Sequence, residues 1–367
     1  MIFFVRSYIA EFDGKLGKYF KALSSAGLPF RVIGWNKTGQ EPKEVRDDVH
    51  FKYRARLGGG WRNAIALLRW NLFVFLELVK ARRQVQIVHA VDLDTALISS
   101  IFCILFGRTL VFDIYDKYTA VRSIGGLAGH AIDCMERWVA KRAEMVIIAS
   151  PARFSQHGLT AEDENVLVLE NVPESEPTSF DLPKACRPWR IGYFGVLEPT
   201  NRGLEHLLTA CEGRSDVELH VVGYGALVPL FASAAALGAN IYYHGAQPSE
   251  IGLGIISTMD ITVGMYYLSV PNHRYASPNK YYEHLMLGRP LLTTAGTPPG
   301  ALVERNHTGW AIPEGLQSIH KWLDGLTPDD IRERGRLAHG VWERSYENYY
   351  AIWYQGEYVS RMKRLAA

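Results

Sequence analysis

The sequence predicts an α/β protein built as two successive series of parallel βαβ units. Three observations carry that prediction. Short apolar runs recur along the chain and are separated by longer helical patterns. The runs are continuously apolar rather than alternating, as in strands buried on both faces of a parallel sheet. Residues 173–189 break the pattern with four prolines and few apolar residues, and read as a linker. At 367 residues the chain has room for two domains of ordinary size. Hydrophobic residues make up 48% and charged residues 21%, the range of a packed globular protein. A net charge of +2 gives no argument for a nucleic-acid partner, and none is expected.

The elements follow in order. Residues 2–5 read as a first buried strand, too short for the apolar region of a signal peptide, so a cytoplasmic location is expected. Gly14 and Gly17 flank a polar loop that turns into a helix through Leu23. Further strands are expected at 30–35, 87–90, 109–112, 145–149 and 166–169, with a helix over 133–141 and a buried crossover helix over 98–106. This gives a first domain of residues 1–172. The second spans 190–340, with strands at 190–194, 217–222, 240–243, 260–263 and 291–294. Two Rossmann-like halves facing a cleft would bind ligands at the carboxyl ends of their strands. The tail from Thr327 is helical and aromatic, and residues 341–367 form its last part. Cys103, Cys134, Cys186 and Cys211 include no C-x-x-C pair, so free thiols are expected. No cluster of metal-ligating residues stands out, and no metal is expected.

The most informative stretch runs from Ser277-Pro278-Asn279-Lys280 through Glu283 to Gly288-Arg289-Pro290, followed by the apolar Leu291-Leu292. A Ser-Pro pair opens a helix, Gly288 ends it, and a strand follows at once. A helix start with Lys280 in its first turn is an anion site, most naturally for phosphate. Glu283, about a turn further on, is placed to accept hydrogen bonds from ribose hydroxyls. The plain alternative is an ordinary capped helix in an α/β domain.

This motif resembles the donor-site helix of glycosyltransferases with the GT-B fold. It is most similar to the family 4 type of bacterial polysaccharide and glycoconjugate assembly. The resemblance implies that Glu283 holds the ribose of a nucleotide-sugar, that Ser277, Asn279 and Lys280 lie at its diphosphate, and that the last helix crosses back onto the first domain. The family's second acid, eight residues earlier, is replaced here by Tyr275. Gly195, Arg202 and Gly203 resemble the family's glycine after the first strand and its basic residue and glycine at the next helix start. A guanidinium there grips two phosphate oxygens at once. The basic residue often found after the first glycine is Val196 in this chain. Gly223 and Tyr224, in Val-Gly-x-Gly, resemble a strand end whose glycines let backbone approach a ligand. His244-Gly245 stands near where the family holds the base. His273 or Arg274 is a further candidate for the sugar or phosphate, or a solvated loop.

The first domain is expected to hold the acceptor. Asp113-Ile114-Tyr115-Asp116 resembles the family's Asp-x-His-Glu, with Tyr115 in place of the histidine and Asp116 in place of the glutamate. Asp116 and Asp113, with Tyr115 beside them, are the catalytic candidates, and Asp13 is the next choice. Asp92 and Asp94 read as acids near the same strand ends or as caps of a helix starting at Thr95. Glu136 reads as structural. Residues 61–83 mix Trp61, Ile65, Leu68, Trp70, Leu72, Phe73, Phe75 and Leu76 with Arg62, Arg69, Lys80, Arg82 and Arg83. They read either as a buried domain helix or as an interfacial helix meeting anionic lipid, with Arg54, Arg56 and Gly58-Gly59-Gly60 as a basic lip. They are too interrupted to span a bilayer.

The function expected from this resemblance is transfer of a sugar from a UDP- or GDP-sugar to a glycan or polyprenyl-linked acceptor hydroxyl. It implies retained configuration and no cofactor, with the enzyme cytoplasmic and peripheral on the inner membrane face. The alternatives are a sugar-nucleotide epimerase of the same architecture and a non-catalytic nucleotide- or glycan-binding subunit.

Overall fold

The computed structural model describes residues 1–9, 13–37, 48–53, 60–174, 181–238 and 240–367, with the backbone alone for 60–62. Arg54, Arg56, Gly58 and Gly59 therefore lie outside the described residues, as do the side chains of Trp61 and Arg62. The chain divides into two compact units, Met1–Glu170 with Tyr349–Ala367, and Asn171–Asn348.

The first unit contains strands β1 (Ile2–Arg6), β2 (Phe30–Asn36), β3 (Val49–Lys52), β4 (Ile87–Val91), β5 (Thr109–Ile114), β6 (Met145–Ile148) and β7 (Val166–Val168). They form one parallel sheet in the order β3-β2-β1-β4-β5-β6-β7. The order reverses at β1, so the loops after β1 and β4 meet at the switch point of the sheet. Ile2, Phe3, Phe4 and Val5 are all buried because both faces are covered. Phe3 and Val5 share a core with Ala66, Trp70, Val74 and Leu78 of helix Gly60–Lys80, Phe102 of helix Leu93–Phe106 and Val139 of helix Gly126–Arg142. On the other face Phe4 stacks on His89 and meets Phe20 of helix Gly14–Ser25. There Tyr19 packs against Tyr354 and Tyr358 at ring separations of 5.4 and 4.6 Å. These two tyrosines belong to Tyr350–Tyr358, which runs into helix Val359–Ala366, so the chain end closes the first sheet as expected.

The second unit carries β8 (Trp189–Val196), β9 (Val217–Tyr224), β10 (Ile241–Tyr243), β11 (Ile261–Gly264), β12 (Leu291–Thr294) and β13 (Gly309–Ile312). The parallel order is β10-β9-β8-β11-β12-β13, with its switch point at β8. Ile191, Leu219, Val221, Val263 and Leu292 form its core with Leu204, Leu207 and Phe231 from flanking helices. Strands β3 and β13 were not predicted. Among the cysteines, Cys103 and Cys211 are buried, Cys134 and Cys186 exposed, and all four are free.

Two local expectations are corrected. The segment flanked by Gly14 and Gly17 is helix from Gly14 onward, because Asp13 caps it and accepts from the Lys15 and Leu16 amides at 3.2 Å. Pro278 sits at the N-cap of helix Asn279–Leu287, one residue before its first turn.

Candidate functional site

In the second unit the site begins with one glycine. Gly195, late in β8, has φ 147°, and a Cβ there would lie 2.6 Å from the Lys280 Nζ. Its bare backbone thus admits an ammonium. The Lys280 stem also passes Gly264 at the end of β11, so two strand ends and a helix start converge on one cation. The ammonium lies 4.7 Å from the centroid of the Tyr193 ring. Burial lowers its pKa to about 8, opposed by Glu283 and reinforced by Arg202.

Arg202 precedes helix Leu204–Cys211. Its guanidinium stands 4.7 Å over the Tyr266 ring, and its Nε donates to Glu198 Oε2 at 3.1 Å. Burial raises the Tyr266 phenol, and its charged neighbours include Arg202 and Glu283. Arg202, Lys280, Glu283, Tyr193 and Tyr266 therefore form one neighbourhood at the carboxyl ends of β8 and β11. Gly203 is left-handed at φ 61°, and a Cβ on it would lie 2.6 Å from the Tyr267 hydroxyl. Asn279 is exposed at the helix start. Pro278 offers no side-chain acceptor at this helix start, and its carbonyl accepts from the Tyr281 amide at 3.2 Å. The Ser277 carbonyl accepts from Asn171 Nδ2 at 2.7 Å, which fixes the loop entering the helix. This is an anion site of two cations and a helix end, with a carboxylate one turn further in.

Among the other candidates, Gly223 and His273 adjoin that group. A Cβ on Gly223, at φ 153°, would drive into the Gly195 carbonyl. That glycine is required by the approach of β9 to β8 beside Gly195. Tyr224 is 63% exposed. His244 Nε2 lies 3.1 Å from His220 Nδ1, and burial lowers its pKa. Buried His273 is held by the Tyr267 carbonyl at 2.7 Å and meets the Tyr266 ring edge-on, so it supports the site wall; Arg274 is exposed.

In the first unit a charged network occupies the carboxyl ends of β1, β4 and β5. Arg6 bonds Asp13 Oδ2 at 2.9 Å and Asp92 Oδ2 at 2.5 Å. Asp92 has φ 61° and ψ 163°, a backbone state that costs a non-glycine residue about 1–3 kcal/mol. Its side chain does not cap the following helix, which starts at Leu93 rather than Thr95. Instead Asp92 Oδ1 accepts from the Tyr115 amide at 3.0 Å and the Asp116 amide at 3.4 Å. Burial pushes its carboxyl up to about 6, against the pull of Arg6. The Tyr115 ring lies between Arg6 and Lys15, at 4.5 and 4.6 Å, and its hydroxyl donates to Asp13 Oδ1 at 3.1 Å.

Asp113, one of the catalytic candidates, sits as a buried anchor. It is fully inaccessible, and its oxygens accept from Lys15 Nζ at 3.0 Å and the Tyr19 hydroxyl at 2.8 Å. Burial alone would raise its pKa, but Lys15 and His89 together hold it low. Asp116 keeps 46% of its side chain accessible and pairs with Arg153 at 2.9 Å. Glu136 is buried on Lys117 and His157, as its structural reading expects. Arg6, Lys15, Tyr193 and Tyr266 were missed because each owes its place to partners remote in sequence. The signal available for Tyr266 was its position just past the apolar run at 260–263.

No protein-family model matches this chain, and no curated protein sequence does. Solved structures share its fold over its whole length. HepE from Anabaena, determined in complex with UDP, superposes with a TM-score of 0.68 at 14% identity, covering 99% of both chains. Sucrose-phosphate synthase from Thermosynechococcus elongatus gives 0.69 at 15%, covering 100% of both. WaaG, a glycosyltransferase involved in lipopolysaccharide biosynthesis, gives 0.64 at 15%, covering 99% of both. At these identities the likeness is one of fold.

Proposed function

We propose that this GT-B chain is a glycosyltransferase moving a sugar from a nucleoside diphosphate sugar to a hydroxyl of a glycan or polyprenyl-linked acceptor. One observation carries the reading: the Lys280 ammonium is seated against Gly195 at a helix start, with Arg202 and Glu283 in the same neighbourhood. The titles of the HepE structures, which name UDP and UDP-glucose, add support and make UDP the first nucleotide to test, ahead of GDP.

In this reading Arg202, Lys280 and the Asn279 amide neutralise charge growing on the leaving diphosphate. Glu283 accepts from the ribose hydroxyls. Two cations and a helix end supply that neutralisation without a metal. In the first unit Asp116 is the accessible carboxylate for polarising the acceptor hydroxyl, with Tyr115 beside it. Asp92 positions both by holding their amides. Retention at the anomeric carbon, a cytoplasmic location and work at the inner membrane face come from the sequence resemblance and belong to the same proposal.

Titration calorimetry with UDP and GDP tests the donor site. Glu283→Ala loses a charged acceptor and weakens nucleotide binding by about 1.5–3 kcal/mol, with the fold retained. Equal affinity in the folded variant removes Glu283 from the ribose.

A further inference from the structure

Trp70, in helix Gly60–Lys80, does not point outward. Trp70 is fully buried and stacks on Trp35 at 5.5 Å, and the stripe Ala66, Trp70, Val74, Leu78 lies on the sheet. The opposite stripe is apolar as well. Ile65, Leu68, Leu72 and Leu76 are 41, 71, 59 and 48% exposed, spaced three or four residues apart along one face. Helix Leu93–Phe106 packs beside this helix, with Phe75 against Phe102 and Asn71 bonded to the Asp94 carbonyl. It too turns large apolar residues outward: Ile101, Ile104 and Leu105, at 40, 51 and 64%. An apolar strip across two neighbouring helices is larger than the scattered exposed residues of an ordinary surface.

The charges around the strip are cationic. Arg69 is exposed beside it, and Lys80, Arg82 and Arg83 stand exposed just beyond Leu76. Arg108 joins them from the end of the second helix, donating to the Arg82 carbonyl at 2.8 Å. The acid of the first helix, Glu77, has 19% of its side chain accessible and is held by Lys80 at 2.6 Å. That of the second, Asp94, is buried on Ser7. A second copy of this chain packed about a two-fold axis would bring these cations towards each other. An anionic lipid surface takes both the apolar strip and the cations. Among the described residues no helix is long and apolar enough to cross a membrane, so the contact is with its surface.

We propose that Leu68, Leu72, Leu76, Ile101, Ile104 and Leu105, with Arg69, Arg82, Arg83 and Arg108, form a docking surface for an anionic phospholipid bilayer. Helix Leu93–Phe106 is thus part of the contact, and the tryptophan of helix Gly60–Lys80 that the structure places, Trp70, is core. The proposal deepens the membrane-face part of the reading above and does not depend on the donor site.

Sedimentation of the full chain with phosphatidylglycerol–phosphatidylcholine vesicles tests it, with pure phosphatidylcholine as control. Wild type sediments with the anionic vesicles at low salt and is released by high salt. The variant Leu68→Gln, Leu72→Gln, Ile101→Gln, Leu105→Gln loses binding, and Arg82→Ala with Arg83→Ala weakens it about tenfold or more. Both keep wild-type circular dichroism and nucleotide affinity, since none of these side chains is core or donor site. If the four-residue variant misfolds, the arginine pair and wild type still decide. Wild type left in the supernatant with anionic vesicles overturns the proposal. So does undiminished binding by the folded four-residue variant, or a dimer abolished by that variant without vesicle binding. Vesicle binding without nucleotide binding contradicts the donor site and supports this surface.

Discussion

Lys280→Ala is expected to lower turnover by about a hundredfold to a thousandfold, because in the proposed reaction it removes the positive charge seated where the leaving diphosphate gains negative charge. The effect has a pH signature. In the free protein the ammonium has its pKa lowered to about 8. A bound diphosphate favours the charged form and raises that value. The Lys280 contribution to nucleotide affinity is therefore steady below pH 8. It falls as pH rises through about 8 toward the higher bound value, with a proton taken up on binding in that interval. Calorimetry in two buffers of different ionisation enthalpy reads that uptake, and Lys280→Ala abolishes it. Wild-type turnover in the variant, or wild-type affinity flat through pH 9.5, places the diphosphate elsewhere.

Asp113→Ala destabilises the first unit by about 3–5 kcal/mol, since it leaves the Lys15 ammonium in a site only 9% accessible without its carboxylate. Tyr19 loses its acceptor as well. The folded pKa of Asp113 lies below the ordinary 3.8. Its contribution to stability is therefore fully present above that ordinary value and is lost as pH falls through the lower folded one. Urea denaturation at neutral pH measures the loss. A variant of wild-type stability that has lost turnover makes Asp113 part of the reaction centre rather than an anchor.

The strands legible in the sequence were those buried on both faces, such as β1 and β12, where continuous apolar runs leave little choice. The two unpredicted strands lack that signal. Val49–Lys52 is a half-exposed edge with His50 and Lys52 in it, and Gly309–Ile312 opens on a glycine. In β13 that glycine is forced, because a Cβ on Gly309 would enter the Leu291 backbone. Helix Asn279–Leu287 was legible because its start, its stop and its charged residues lie within a single stretch. The network of the first unit was not, because Arg6 meets Asp92 across 86 residues and Tyr115 meets Asp13 across 102. Aromatic content alone left the outer face of helix Gly60–Lys80 undecided. Four-residue spacing puts Trp70 inside and leaves leucines to the solvent.

The proposed reaction is sugar transfer from a nucleotide donor bound at Arg202, Lys280 and Glu283. Its most direct test is product analysis with a panel of UDP- and GDP-sugars, with and without glycan and polyprenyl-linked acceptors. The expected result is nucleoside diphosphate release matched by a glycosylated acceptor, lost in Lys280→Ala. An epimerised sugar-nucleotide without acceptor product would contradict it in favour of an epimerase. Nucleotide binding with no turnover across the panel would contradict it in favour of a non-catalytic subunit.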